Sequence, residues 1–387
     1  MQDLTSTQVQ EFIHGFEGDP LELALKGSPF DNVDMRELVL QIQGRRQIRK
    51  KLPLWFGTKG IIYPPKLNLE QTSSQTTASY KASLCNGSAG ADLTGGWGID
   101  THYLSKQFDH FDYFEQQQDL AAMARHNGQL LGTTNVSFNA GDGLEQITHK
   151  RYDWIYIDPS RRHQQKGKVI LLSDYAPNVV ENLPYLMERC SNLMIKTAPM
   201  YDIAQGLREL KHVKEVQIVA LGGEVKELLW ILQAGYEGSP LIKAIVLADK
   251  QREESAYYPI STTISFSAPA AYVYEPHAAI LKAGMQDLIG SQHNLSKLAP
   301  NSQLYTAENL VDYLGRTYRL LKVYPYKKAI IKKELAGSKA LVVARNFGES
   351  VAQLRKRWKL VDAEGMQLIF TRLEDGEKVV LEVERLS

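Results

Sequence analysis

Four acidic residues in the middle third of this chain each follow an apolar run. Asp92 opens Asp92-Leu93-Thr94-Gly95-Gly96-Trp97-Gly98, and Glu115 sits in Tyr113-Phe114-Glu115-Gln116. Asp142 follows Phe138-Asn139-Ala140-Gly141, and Asp158 leads Asp158-Pro159-Ser160-Arg161-Arg162 after Trp154-Ile155-Tyr156-Ile157. Apolar strands that end on polar residues in an α/β sheet put those residues at the carboxyl edge, where ligands bind. Gly95, Gly96 and Gly98 permit positive φ and a close backbone approach to a ligand. A helix starting after them offers free N–H groups to an anionic part of that ligand. Glu115 stands 20 positions past Gly95, a spacing that suits acceptance from ribose hydroxyls. Asp142 is placed to accept from the exocyclic amine of an adenine. The loop lacks the lysine of GxxxxGKS/T, which argues against a triphosphate grip, and it departs from GxGxxG, which argues against NAD.

The elements that would position these residues alternate between strand and helix. Strands are expected at 91–93, 111–114, 135–138, 154–157 and 193–196, with helices at 99–106, 118–131, 179–189 and 204–210. That alternation makes a parallel sheet with right-handed crossovers. Residues 216–221 and 228–233 flank Gly222-Gly223 and read as a hairpin, so the sheet closes on an antiparallel strand. Residues 1–58 read as short helices broken by Gly18, Pro20, Gly27 and Pro29. Residues 60–80 read as an extended linker into a helix near 76–84. After about residue 237 the pattern changes. Strands at 244–247 and 262–266, helical stretches at 277–285 and 307–314, and an alternation over 340–343, 351–358, 367–371 and 379–384 read as small α+β modules.

The net charge is +1, so any case for nucleic acid rests on local clusters. Cys85 and Cys190 are the only cysteines, and His102, His149 and His163 lack ligand spacing, so no metal site is expected. Cysteine usage fits a reducing compartment. The opening residues lack the basic and apolar regions of a signal peptide, and no apolar run approaches the ~20 residues of a membrane span. A cytoplasmic protein with no membrane partner is expected.

Over roughly residues 70–235 the constellation resembles class I S-adenosylmethionine-dependent methyltransferases, whose glycine loop reads D/E-x-G-x-G-x-G. Gly96 and Gly98 match, and Thr94 stands at the first glycine. The resemblance implies S-adenosylmethionine as cofactor, with Asp92, Thr94, Gly95, Gly96 and Gly98 cradling its methionine end. Glu115, with Gln116 beside it, would take the ribose, Asp142 the adenine, and Gln71 and Ser74 would close over the cofactor. In amine-directed members the fourth strand ends D/N-P-P-aromatic, and the polar side chain and the following carbonyl accept from an –NH2 group. Asp158-Pro159 matches the first half, while Ser160-Arg161 departs from the second, where an aromatic stacks. The stretch also looks like the D-P-M-x-P-H-R region of bacterial small-subunit rRNA guanine-N2 methyltransferases. These likenesses imply Asp158 and Pro159 as catalytic, with Ser160, Arg161 and Arg162 binding substrate.

Nearly the whole chain is similar to a bacterial family of class I methyltransferases with a helical amino-terminal region, a ferredoxin-like module and a THUMP-like domain. Leu67-Asn68-Leu69-Glu70-Gln71-Thr72-Ser73-Ser74 carries the likeness before the glycine loop, and Tyr274-Glu275-Pro276, Gly315-Arg316 and Ala344-Arg345-Asn346-Phe347 carry it after. It implies a helical region at 1–58, a methyltransferase domain at 59–237, a ferredoxin-like module at 238–325 and a THUMP-like domain at 326–387. It also brings in Arg345 as a substrate-binding residue, and rRNA or tRNA as partner, because THUMP domains are associated with RNA modification.

Charge points the same way. From Arg316 to Lys359 there are thirteen Lys/Arg against Glu334 and Glu349, with Tyr318, Tyr324, Tyr326 and Trp358 interleaved. Basic residues neutralise phosphate and aromatics stack on unpaired bases. A second basic run, Arg45 to Lys51, would extend that surface. The expected activity is methylation of an exocyclic base amine of RNA, guanine N2 or adenine N6. Two alternatives are a non-catalytic RNA-binding protein on the same scaffold, which the departure at Ser160 favours, and a DNA methyltransferase.

Overall fold

The chain divides into two units, Met1–Glu215 with Leu228–Gly238, and Val216–Glu227 with Ser239–Ser387. The computed structural model describes residues 3–161, 171–248 and 250–386.

Strands β1 (Gly87–Asp92), β2 (Phe108–Glu115), β3 (Val136–Ala140), β4 (Tyr152–Ile157) and β5 (Cys190–Thr197) run parallel. A hairpin of β6 (Val213–Leu221) and β7 (Glu224–Gln233) turns at Gly222 with φ 61°, and β7 pairs antiparallel with β5. The order is β3-β2-β1-β4-β5-β7-β6. It reverses between β1 and β4, and there the carboxyl ends of neighbouring strands part to form a crevice. Ile155, Tyr156 and Ile157 are buried in succession, as in a strand covered on both faces. Burying each of the two isoleucines contributes about 1.5–3 kcal/mol.

Three helices contribute to the crevice wall, α1 (Lys66–Gln71), α3 (Ile99–Leu104) and α4 (Gln118–Leu130), and α2 (Gln75–Ser83) packs on α3. The expected extended linker at 60–80 is therefore corrected. Pro65 fixes φ just ahead of α1, so a helix of 6 residues starts there with too few apolar positions to show a period. The helix expected at 179–189 begins at Leu183, with Pro184 in its first turn. Before the sheet, helices Thr7–Gly15 and Met35–Ile48 bury Val9, Ile13, Leu38 and Ile42 against one another.

In the second unit, β8 (Leu241–Leu247) and β9 (Arg252–Tyr257) pair antiparallel. A separate sheet has the two-residue strand Ser296–Lys297 at one edge, followed in order by β11-β10-β12-β15-β14-β13, from β10 (Tyr272–Pro276), β11 (Tyr305–Ala307), β12 (Gly315–Pro325), β13 (Leu341–Ala344), β14 (Gln367–Arg372) and β15 (Lys378–Arg385). Two expectations fail here. Residues 262–266 form no strand, only a bridge from Phe266 to Lys297. Residues 307–314 form no helix: the Tyr274 hydroxyl accepts from Val311 N (3.0 Å) and donates to Asn309 O (3.1 Å), holding that backbone irregular. Among the described residues no helix is long and apolar enough to cross a membrane.

Candidate active site

The glycine loop leaves β1 with Asp92 almost fully buried. One Asp92 oxygen accepts from Thr94 N at 3.0 Å and the other from Thr101 Oγ1 at 2.7 Å, so the carboxyl shapes the loop from beneath. Burial pushes its pKa up to about 7, and the charges of Asp100 and Asp158 push the same way. A side chain at Gly95 would meet the Tyr113 ring at 2.1 Å, so packing demands glycine there. Gly96 takes φ 53° and Gly98 φ 83° at the start of α3.

Glu115 ends β2 beside this loop. Its Oε2 accepts from Gly96 N at 3.0 Å and its Oε1 from Gln117 N at 2.8 Å. Gln116 donates to Asp142 Oδ2 at 2.8 Å, while Asp142 Oδ1 accepts from Leu144 N at 2.9 Å. Because β1, β2 and β3 are neighbours in register, their carboxyl ends bring Asp92, Glu115 and Asp142 to one rim.

At the far side stands the end of β4. The Asp158 N–H donates to Thr94 Oγ1 at 2.7 Å, and its carboxylate pairs with Lys196 Nζ from β5. Pro159 is buried and Ser160 exposed, the latter in a short antiparallel pairing of Ser160–Arg161 with Tyr175–Ala176. Arg162 lies outside the described residues.

These groups surround one cleft of about 290 Å3. Of the residues singled out from sequence, it brings together Gln71, Asp92, Thr94, Gly95, Gly96, Glu115, Gln116, Asp142, Asp158 and Ser160. Ser74 does not line it; its hydroxyl caps α2 by accepting from Thr77 N at 3.1 Å. Gly98 shapes the loop without reaching the cleft. Arg345 belongs to the second unit, where Glu275 also holds Arg316 at 3.0 Å.

Sequence reasoning missed Lys196 and a buried group around Asp100. The Asp100 carboxylate accepts from Ser73 Oγ (2.8 Å) and Tyr156 OH (2.9 Å) and pairs with Lys81 at 3.2 Å. Burial pushes the Asp100 pKa up, but Lys81, Lys196 and the two hydroxyls outweigh that, and the net shift is down. Lys196 had a signal: a charge near the end of the apolar run Leu193-Met194-Ile195, the same pattern that marks Asp158.

Five carboxyl groups and Lys196 face the cleft, Asp92, Asp100, Glu115, Asp142 and Asp158 being the acids. Nothing beyond the loop backbone stands within 4 Å of where a Gly96 side chain would project. An open glycine cradle with Glu115 and Asp142 on one rim suits a ligand with a hydroxylated sugar and a base amine, and the residues fit a nucleoside sulfonium.

The aromatic side chains expected to stack on bases are corrected. Tyr318, Tyr324 and Trp358 are buried in the second unit's cores, and Tyr326 packs edge-on against Phe347, Trp358 and Phe370. Several basic residues of that tract have acidic partners from outside it, such as Arg319 with Glu384 and Arg355 with Asp362. Lys327, Lys328, Lys332, Lys356 and Lys359 remain exposed. The run from Arg45 to Lys51 is largely structural. Arg45 covers the Phe56 ring, Arg46 donates to Phe16 O and Gly18 O, and Lys51 donates to Leu69 O and Glu70 O.

Residues 272–314 match a ferredoxin-like domain and residues 315–385 a THUMP domain-like family. The crystal structure of a "putative methyltransferase" from Porphyromonas gingivalis W83 superposes with a TM-score of 0.90 at 31% identity, covering 100% of this chain and 99% of that one. An uncharacterized S-adenosylmethionine-dependent methyltransferase of Mycobacterium tuberculosis H37Rv is 25% identical over 260 residues, 66% of this chain and 69% of its own.

Proposed function

This chain belongs to a bacterial family of class I S-adenosylmethionine-dependent methyltransferases with a ferredoxin-like module and a THUMP-like domain, and from that premise we propose that it methylates an exocyclic base amine of RNA, guanine N2 or adenine N6. One observation carries the reading: Glu115, Asp142 and Asp158 stand at or just past the carboxyl ends of three strands around one cleft. Bound there, S-adenosylmethionine supplies a methyl group already activated by its sulfonium charge.

The chain's own residues then have little acid–base work and much positioning. The 94–98 loop receives the methionine end, with Asp92 fixing its shape. Glu115 takes ribose hydroxyls while its two backbone partners hold it still, and Gln116 does the same for Asp142 at the adenine. Gln71 forms part of the roof, and Ser74 supports it by starting α2. Asp158 and the Pro159 carbonyl accept from the target amine and orient its lone pair. Ser160, Arg161 and Arg162 follow on the same segment and contact the substrate strand. Arg345 and the exposed lysines of the THUMP-like domain take phosphates, which fix register rather than react.

THUMP domains accompany RNA-modifying enzymes, and the exposed lysines are of the chemistry RNA needs; both support RNA as substrate. The test is mass spectrometry of nucleosides from a deletion strain's RNA, before and after treatment with the purified protein and S-adenosylmethionine. A methylated purine that disappears on deletion and returns on treatment is expected. RNA identical in both strains and inert to the protein would remove RNA as the substrate.

A further inference from the structure

Asp158 and Lys196 meet in the cleft wall as an ion pair, the lysine side chain 12% exposed and the carboxylate 35%. The other acids facing the cleft have different arrangements. Asp100 is matched by Lys81, whose side chain is wholly buried behind it. Asp92 has both oxygens taken and is pushed toward its neutral form. Glu115 and Asp142 stand at the opposite rim on backbone N–H donors. Among these acids, Asp158 is the one whose direct ion pair is with a lysine that lines the cleft, and the charge of that lysine also reaches Asp100.

We propose that Lys196 sets the cleft's preference between a cationic sulfonium and its neutral thioether, by cancelling the charge of Asp158 beside the reacting end. The proposal rests on the cofactor reading above. A carboxylate facing a sulfonium without Lys196 would bind the cation far more tightly than the neutral thioether. Opposite charges within about 4–6 Å commonly bias such an equilibrium tenfold to a thousandfold. That bias deepens the ground state and is lost as the charge disappears, so it opposes turnover. Lys196 removes the bias while leaving Asp158 a hydrogen-bond acceptor at its other oxygen. Lys196 is thus a positioning and charge-balancing residue rather than one that takes a proton.

The test is calorimetry of the full chain with S-adenosylmethionine and with S-adenosylhomocysteine, reading the ratio of the two affinities. In Lys196→Met the ratio should move toward the cation by about tenfold or more, with S-adenosylhomocysteine affinity near wild type serving as the folding control. Asp158→Asn should move it the other way. Lys196→Arg and the double variant Lys196→Met/Asp158→Asn should stay near the wild-type ratio, because each keeps the pair electrically neutral. An unchanged ratio in Lys196→Met, with both ligands still bound, overturns the role of Lys196 alone. Failure of the wild-type protein to bind either ligand overturns the cofactor reading and this proposal together.

Discussion

The backbone N–H of Asp158 donates to the hydroxyl of Thr94 at 2.7 Å, joining the end of β4 to the glycine loop of β1. A threonine therefore stands where class I methyltransferases usually have their first glycine, and it ties the proposed acceptor site to the cofactor loop. Thr94→Val keeps the shape and removes the acceptor, leaving the Asp158 N–H unsatisfied. Stability should fall by about 1–3 kcal/mol, read from urea unfolding. Loss of turnover should exceed loss of S-adenosylhomocysteine affinity.

Glu115→Ala deletes an acceptor for the ribose and also frees the N–H groups of Gly96 and Gln117. A charge-assisted hydrogen bond is worth roughly 1.5–3 kcal/mol, so S-adenosylhomocysteine affinity should drop about tenfold or more. Calorimetry measures it, and wild-type affinity in the variant would remove Glu115 from the cofactor site.

Asp92 gives a signed pH dependence. Its folded pKa of about 7 lies above the ordinary 3.8, so its neutral form is the one the fold favours. The stability it contributes is complete below about pH 4 and is lost as pH rises through 7, a slope worth about 2–4 kcal/mol. Asp92→Asn should flatten that slope, and the variant should melt higher than wild type at pH 8. His102 slopes the opposite way, burial having pushed its pKa down to about 4. The difference between variant and wild type isolates Asp92.

The strands of the first unit were legible because each is a short apolar run closed by a polar residue, and the glycine loop because glycines cluster after one of them. The partner of Asp158 was not, since Lys196 is 38 positions away and reaches it only because β4 and β5 are neighbours. The same holds for Lys81 and Asp100, brought together by helix packing. Charge counted along the chain also misled: Arg319 and Arg355 find acids outside the basic tract, and the tyrosines between them fill a core. Segment 307–314 has helix-like spacing that two bonds to Tyr274 override.

Exposed lysines of the THUMP-like domain supply a test of RNA binding that leaves its sheet intact. Replacing Lys327, Lys328, Lys332 and Lys356 with Ala should weaken RNA affinity and reduce the salt slope by about 0.7–0.9 for each phosphate no longer neutralised. Filter binding across a salt series reads both. An unchanged slope would mark these lysines as solvated surface only.

The central claim is that Asp158 orients the methyl acceptor, and tritiated methyl transfer tests it most directly. The substrate is RNA from a strain lacking the protein, and the comparison is wild type against Asp158→Ala, with S-adenosylhomocysteine binding measured on both. The account predicts that, with S-adenosylmethionine at saturation to offset the weaker hold on the cation, transfer falls to background while the neutral ligand still binds, because the ribose and adenine contacts belong to Glu115 and Asp142 and the lost contact to the target amine acts mainly during reaction. Full transfer by a folded Asp158→Ala would contradict it and leave Asp158 as the partner of Thr94 and Lys196 only.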